Sequence, residues 1–454
     1  MTAADDSPSA ARPSRRRPLL LALLVALVGV TVAAAIGLLL LAGSPRTTAP
    51  AVAGRIVVVD GAGLVRTMDA AGGSERAYAL MGGLSQFPAW SPDGGRLAVV
   101  GVSDQGAGLF VLEDRELASS PDDIPNPIYS SAEEPPFYLY WSPDGRQVTF
   151  LTSESDGLAL RAAPADGSAP GGVVRRGAPM YWAWTADDRL LVHAGGDGPD
   201  AYVGELGLDG SEARRAAIVP GRFQAPAVSS DGLRRAYVMS TEEPEPDIRS
   251  AVILVEDSRD GSIRRVAVLG PTALGWGPGS ERLAFIAPRE RTVLPLGPLD
   301  LLDSISTEPR TLLQSDVVAF FWSPDGASIA AIALPSDEPR QVATRGTSPA
   351  TVDAQPAAEA NTLQLVVLAA DDGTVLVDRA VRLSDTFIRQ VLPFFDQYAL
   401  SHRIWSPQAD ALVLPLVGAD GQAHISIVSL DGGQPRAIAD GEIAFWGPDP
   451  HDLR

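Results

Sequence analysis

Short apolar runs edged by polar residues recur along the chain from about residue 55 onward, as in Arg96-Leu97-Ala98-Val99-Val100 and Arg282-Leu283-Ala284-Phe285-Ile286. Their length and alternation fit half-buried strands and not helices. A turn-forming block precedes each run. Trp-Ser-Pro-Asp-Gly stands at Trp90, Trp141 and Trp322, and looser copies begin at Trp184, Trp276, Trp405 and Trp446. In Ser142-Pro143-Asp144-Gly145 the proline presets φ, and Asp and Gly suit the next two positions of a type I turn, so the block predicts a strand-to-strand corner. Seven of the eight Trp occupy this one position, where a large ring fills the wedge between neighbouring sheets.

Spacing predicts the architecture. Counting a degenerate corner at Val228 (Val228-Ser229-Ser230-Asp231-Gly232), the steps from Trp90 to Trp446 are 51, 43, 44, 48, 46, 83 and 41 residues. All but the 83 fall within the roughly 40–50 residues of a four-stranded propeller blade. A second turn follows many corners by about 25 residues, at Asp166-Gly167, Asp209-Gly210, Asp260-Gly261, Asp372-Gly373 and Asp431-Gly432. Asp-Gly between apolar runs is a hairpin signal, here placed between the third and fourth strands of a blade. The long step contains residues 335–362, rich in Pro, Ala and Thr and without apolar periodicity, which read as a disordered insertion.

The two ends of the array complement each other. The last corner leaves an inner strand near Glu442 to Phe445 without following partners, whereas Arg55 to Asp60, Leu64 to Asp69 and Glu75 to Leu80 read as three strands without a corner. Pairing them closes a ring and removes exposed edges. The expectation is an all-β, eight-bladed β-propeller closed by N- and C-terminal strands, or seven blades if the Val228 corner is not a true copy.

The Trp-Ser-Pro-Asp-Gly corners followed by Arg-Leu and a β run resemble the propeller repeats of the TolB family, which also occur in the propellers of prolyl oligopeptidases and dipeptidyl peptidases. The resemblance covers roughly residues 55–454 and rests on structural residues. It implies a propeller that serves as an extracytoplasmic interaction platform, or as a lid over a separate hydrolase. The small α/β domain of TolB has no counterpart ahead of these repeats.

Residues 19–42 are Leu-rich and carry no charge over 24 positions, and about 20 apolar residues suffice to cross a bilayer as a helix. Arg12, Arg15, Arg16 and Arg17 precede the segment, and Arg46 and Arg55 follow it. The positive-inside rule then leaves residues 1–18 as a disordered cytoplasmic tail and places the propeller outside, beyond a linker at 43–54. The rival is a cleaved signal peptide ending near Ala51-Val52-Ala53, but its apolar core would be only about 7–15 residues long. The expected location is the cell membrane, single-pass.

Charge and composition narrow the chemistry. Of the formal net charge of −20, the first 42 residues contribute four Arg and two Asp, which leaves −22 on the remainder. Such a surface repels nucleic acid and serves solubility. There is no Cys and no Lys, so thiol, Schiff-base and Gly-Lys-Ser/Thr phosphate-loop chemistry are excluded. No Gly-x-Ser-x-Gly elbow occurs, and His193, His402, His424 and His451 lack metal-ligand spacing. The expectation is a chain without catalysis, cofactor or metal.

One segment departs from the repeat. Leu392 to Arg403 is longer and more aromatic than other connections, and Pro393 opens a short helical turn there. The binding candidates are Phe394, Phe395 and Tyr398 as anchors, with Asp396, His402 and Arg403 as polar contacts, forming a cap at a mouth of the central channel. The bland alternative is a lid packed on its own blade. Tyr138, Tyr140, Tyr181 and Trp182 precede corners and read as core or channel lining. Two function classes follow: a membrane-tethered module that binds a protein or peptide outside the cytoplasm, or a sensor or hydrolase acting on peptide or glycan at the channel.

Overall fold

The computed structural model describes residues 54–448 except 79, 81–83, 115–124, 242–249, 280, 291, 293, 304–307, 337–340, 343–349 and 352–361. The expected tail, membrane helix and most of the linker, together with His451, lie outside the described residues. Among the described residues no helix is long and apolar enough to cross a membrane.

The turn blocks divide the chain into small antiparallel sheets: five of four strands, one of three and one of nine. Four of the five four-stranded sheets are meanders, as in Pro136–Trp141, Gln147–Glu154, Gly157–Pro164 and Gly172–Arg176. The Asp-Gly turns fall between the last two strands of their meanders, Asp209-Gly210 for example joining Tyr202–Leu206 to Glu212–Arg215. One sheet is assembled from both ends of the repeat array. Arg55–Val59 pairs with Val65–Asp69 on one side and with Ile443–Trp446 on the other, and Arg76–Tyr78 completes it. The result is a β-propeller with a closed circuit of sheets.

The nine-stranded sheet arises because Arg310–Trp322 is a single 13-residue strand that pairs with Gly297–Asp303 through one half and with Ser328–Ala333 through the other. Register shifts mark the bend between the halves. Two residue pairs within the insertion, Gln341–Val342 and Ala350–Thr351, join each other, and Val342 bridges to Val375. The rest of 337–361 lies outside the described residues.

Each corner is an inter-sheet clamp. The Ser142 hydroxyl donates to Asp144 at 2.6 Å, and Gly145 N–H donates to the Ser142 carbonyl at 2.9 Å. Gly145 takes φ 68, where a side chain would be strained. The Trp rings reach across to the preceding sheet: Trp141 Nε1 donates to the Ala89 carbonyl, Trp322 to Gly275 and Trp405 to Phe321. The Arg after the corner then covers the next ring, with Arg96 4.9 Å from the Trp141 ring centre and its guanidinium donating to the Gly145 carbonyl. The Val228 corner builds the same turn, with Ser229 donating to Asp231 and Gly232 to Ser229, and its Arg234 stands over Trp276.

Candidate functional site

The innermost strands of a propeller expose backbone N–H and C=O groups toward the axis, and those groups need partners when water is excluded. Here the partners come from the segment between Val375–Val381 and the corner at Trp405. Ser384 caps a six-residue helix, α1 (Asp385–Gln390), by accepting from Phe387 N–H. A 3₁₀ turn at Leu392–Phe394, opened by Pro393, leads into α2 (Phe395–Ser401).

α2 packs against strands from several sheets. The Gln397 side chain docks on the backbone of the 180–184 strand: its Oε1 accepts from Trp182 N–H at 2.9 Å, and its Nε2 donates to the Trp182 carbonyl at 2.8 Å. Tyr138 donates to the Gln397 carbonyl at 2.7 Å. The left-handed φ of Tyr138, 47, carries its ring toward this helix, a strained setting for a bulky residue. Phe395 meets Phe320 and Phe321 edge-on, and Tyr398 lies between Tyr138 and Phe445. The segment is therefore a plug spanning several sheets at the hub, a role different from both the mouth cap and the single-blade lid that the sequence offered.

The six binding candidates separate by burial. Phe395, Asp396, Tyr398 and His402 are buried in the plug, whereas Phe394 is 42% exposed. Arg403 is exposed at the strand edge, where its carbonyl accepts from Trp446 N–H at 2.7 Å. Burial holds His402 neutral and pushes its pKa down to about 3, and its Nδ1 lies 2.6 Å from the Ser401 hydroxyl. Asp396 is driven the other way. Burial raises its carboxyl to about 7 against the pull of two backbone N–H donors, Ala225 at 3.1 Å and Gln397 at 2.9 Å. Among the described residues no cationic side chain pairs with it.

Beside the plug lies a cavity of about 720 Å³. Its walls are Phe223, Leu296, Leu363, Ile388, Leu392, Phe394 and Phe395, and Asp396 contributes to the lining. Leu294, Leu334 and Phe394 at its edge are 61%, 37% and 42% exposed. Arg222 and Asp197, also in the lining, hold each other at 2.8 Å. Phe223 is fixed by stacking on His193 with ring centres 4.0 Å apart, and both nitrogens of that buried imidazole face carbonyl oxygens, of Gln224 and Gly196. A second cavity of about 630 Å³ shares Leu296 and Leu334 with the first and is lined by polar residues including Arg289, Glu290 and Asp316.

Sequence reasoning found the plug side of this cavity and missed the rest. Leu294, Leu334 and Phe223 come from separate repeats and read individually as loop or strand residues. The one available signal for α1 was Ser384 followed by Asp385, an N-cap and an acidic first turn.

No family model matches the chain, and no curated protein does. Solved structures do resemble it. A eukaryotic initiation factor structure has a TM-score of 0.53 at 11% identity, over 88% of this chain and 99% of its own. TolB from Acinetobacter baumannii has 0.36 at 13%, over 72% of this chain and 63% of its own. A prolyl endopeptidase structure has 0.48 at 13%, over 81% of this chain and 50% of its own. The chain thus spans less than two thirds of the TolB and prolyl endopeptidase chains it matches. The likeness is one of fold. The expectation of a chain without catalysis is corrected by this set, which includes the prolyl endopeptidase, a puromycin-hydrolysing peptidase and the tricorn protease. Hydrolases share this neighbourhood, and at these TM-scores none assigns an active-site residue here.

Proposed function

We propose that this chain is an eight-bladed β-propeller, carried outside the cytoplasm on a single N-terminal membrane helix, that acts as an interaction module by receiving an extended segment of a protein partner in the apolar cavity beside its hub. The count of eight takes the nine-stranded sheet as two blades joined through Arg310–Trp322, and takes the Val228 corner, whose turn matches the others, as a true repeat. The membrane helix rests on the uncharged run 19–42 behind its four arginines.

The observation that carries the function is the cavity rim. Three large apolar side chains stand exposed around one concavity of a size suited to a ligand, where scattered single exposures would need no explanation. The adjoining polar cavity extends the site outward, so a chain anchored by an apolar residue continues over a wetter surface, the usual division between interface core and rim. Its test is photo-crosslinking in cells from a benzoylphenylalanine placed at Leu294, with Leu84, also exposed but not among the cavity's lining residues, as control. One protein captured from position 294 and absent from position 84 is the expected result. Identical or empty patterns from both positions overturn the proposal.

A further inference from the structure

Taking the cavity as the binding site, we infer that it receives a lysine side chain of the partner segment, with the alkyl stem along the apolar walls and the ammonium at the Asp396 carboxylate. The inference rests on that reading of the cavity and adds the chemistry of the anchor.

Asp396 is 3% exposed and belongs to the cavity lining. A carboxylate so placed is costly unless a positive charge accompanies it, and the protein supplies none among the described residues. Arg222, the cation among the described lining residues, is held by Asp197 at 2.8 Å. The lining that Asp396 shares is mostly apolar, with Phe223, Phe394, Phe395 and Leu392 among its walls. A cation must therefore arrive on an apolar stem, which is how lysine distributes its chemistry. Each Asp396 oxygen already accepts one backbone N–H, from Ala225 and Gln397. That arrangement leaves single lone pairs instead of an open carboxylate edge, and it favours a compact ammonium over the planar fork of arginine. This chain contains no lysine, so the side chain comes from a different molecule. The net charge of −22 beyond residue 42 draws a basic segment toward the surface.

The test uses the full chain and four probes, read by isothermal titration and ligand-observed NMR. They are N-acetylated, C-amidated Leu-Lys-Leu, the same peptide with norleucine or with arginine at the centre, and Leu-Leu-amide with a free amino terminus. The expected result is that the lysine peptide binds at least tenfold tighter than the other three, that Asp396→Asn erases the difference, and that Leu294→Arg weakens every probe. The comparison of lysine with norleucine on the unaltered protein stands even if a variant folds poorly. Equal binding of lysine and norleucine overturns the anchor while leaving the cavity as the site. Equal or tighter binding of the arginine or free-amine probe reassigns the cation and overturns it too. Binding of none, or binding indifferent to Leu294→Arg, overturns both readings.

Discussion

Replacing Asp396 by Asn removes a buried charge and one hydrogen-bond acceptor while keeping the side chain's size, and only the charge depends on pH. Burial raises the carboxyl from the ordinary 3.8 to about 7. Between those values the native state binds a proton that the unfolded chain releases, so stability falls as pH rises and the penalty is complete above the native value. At 1.36 kcal/mol per unit, the two units separating pH 5 from the native pKa correspond to about 2.7 kcal/mol lost by the unaltered protein. Asn has no such titration. It keeps one carbonyl oxygen for the two backbone donors, so Ala225 or Gln397 N–H goes unpaired at every pH, a cost of about 1–3 kcal/mol. The variant should therefore be level with or below the parent at pH 5 and gain on it by about 2–3 kcal/mol on going to pH 8.5. Urea denaturation at a series of pH values measures the difference directly. A gap between the two proteins that stays constant within about 0.5 kcal/mol from pH 5 to 8.5 refutes the reasoning, because it would mean that Asp396 is ionised throughout.

Three further outcomes follow from the same geometry. His402, held near 3, supplies stability that is complete above its unfolded pKa of about 6.5 and lost as pH falls below it, about 2 kcal/mol by pH 5. His402→Phe should flatten that acid limb in thermal melts, and an unchanged limb counts against a neutral buried ring. Asp114 is 1% exposed in its side chain, with Arg55 at 2.5 Å, Arg76 at 2.9 Å and hydroxyls of Thr67 and Tyr78 at 2.8 and 2.7 Å. Burial opposes its ionisation, but those donors hold its pKa below the ordinary value. Asp114→Ala strands two partly buried guanidinium groups where the closing sheet meets its neighbour and should cost about 3–5 kcal/mol in urea unfolding; a loss under about 1 kcal/mol would show the network to be decorative. Trp141→Phe deletes the bond to the Ala89 carbonyl and leaves a smaller ring beneath Arg96 and should cost about 2–3 kcal/mol by the same measurement, whereas a neutral result removes the corner clamp from the account of stability.

The closed circuit of sheets was legible because its determinants are local and repeated. Pro143 and Gly145 specify a turn wherever they occur, and the strand at Arg55–Val59 reveals its missing partner by lacking a corner. The plug was legible only as an anomaly. Its length and aromatic content marked Leu392 to Arg403, but nothing in Gln397 announces that its amide will mimic a strand partner for Trp182, since that pairing depends on two blades more than 200 residues apart in sequence. The cavity was less legible still. Leu294 and Leu334 are ordinary apolar residues until the ring brings them within reach of Phe394, and their exposure is a property of the assembled surface.

Asp396 governs both the stability of the plug and the chemistry of the cavity. A neutral residue there would spare the protein a charge it must desolvate above pH 7, and the plug already has Gln397 to satisfy the inner strand edges. A group that weakens the unliganded fold while lining an apolar cavity is what a site poised for a cation requires, since the ammonium removes the penalty only on arrival and its binding is strengthened by that difference. The two measurements on Asp396→Asn therefore point in opposite directions by design: the variant gains stability at alkaline pH and loses its discrimination for lysine. A variant that gained the first and kept the second would separate the buried charge from the ligand and leave the carboxylate as a purely structural liability.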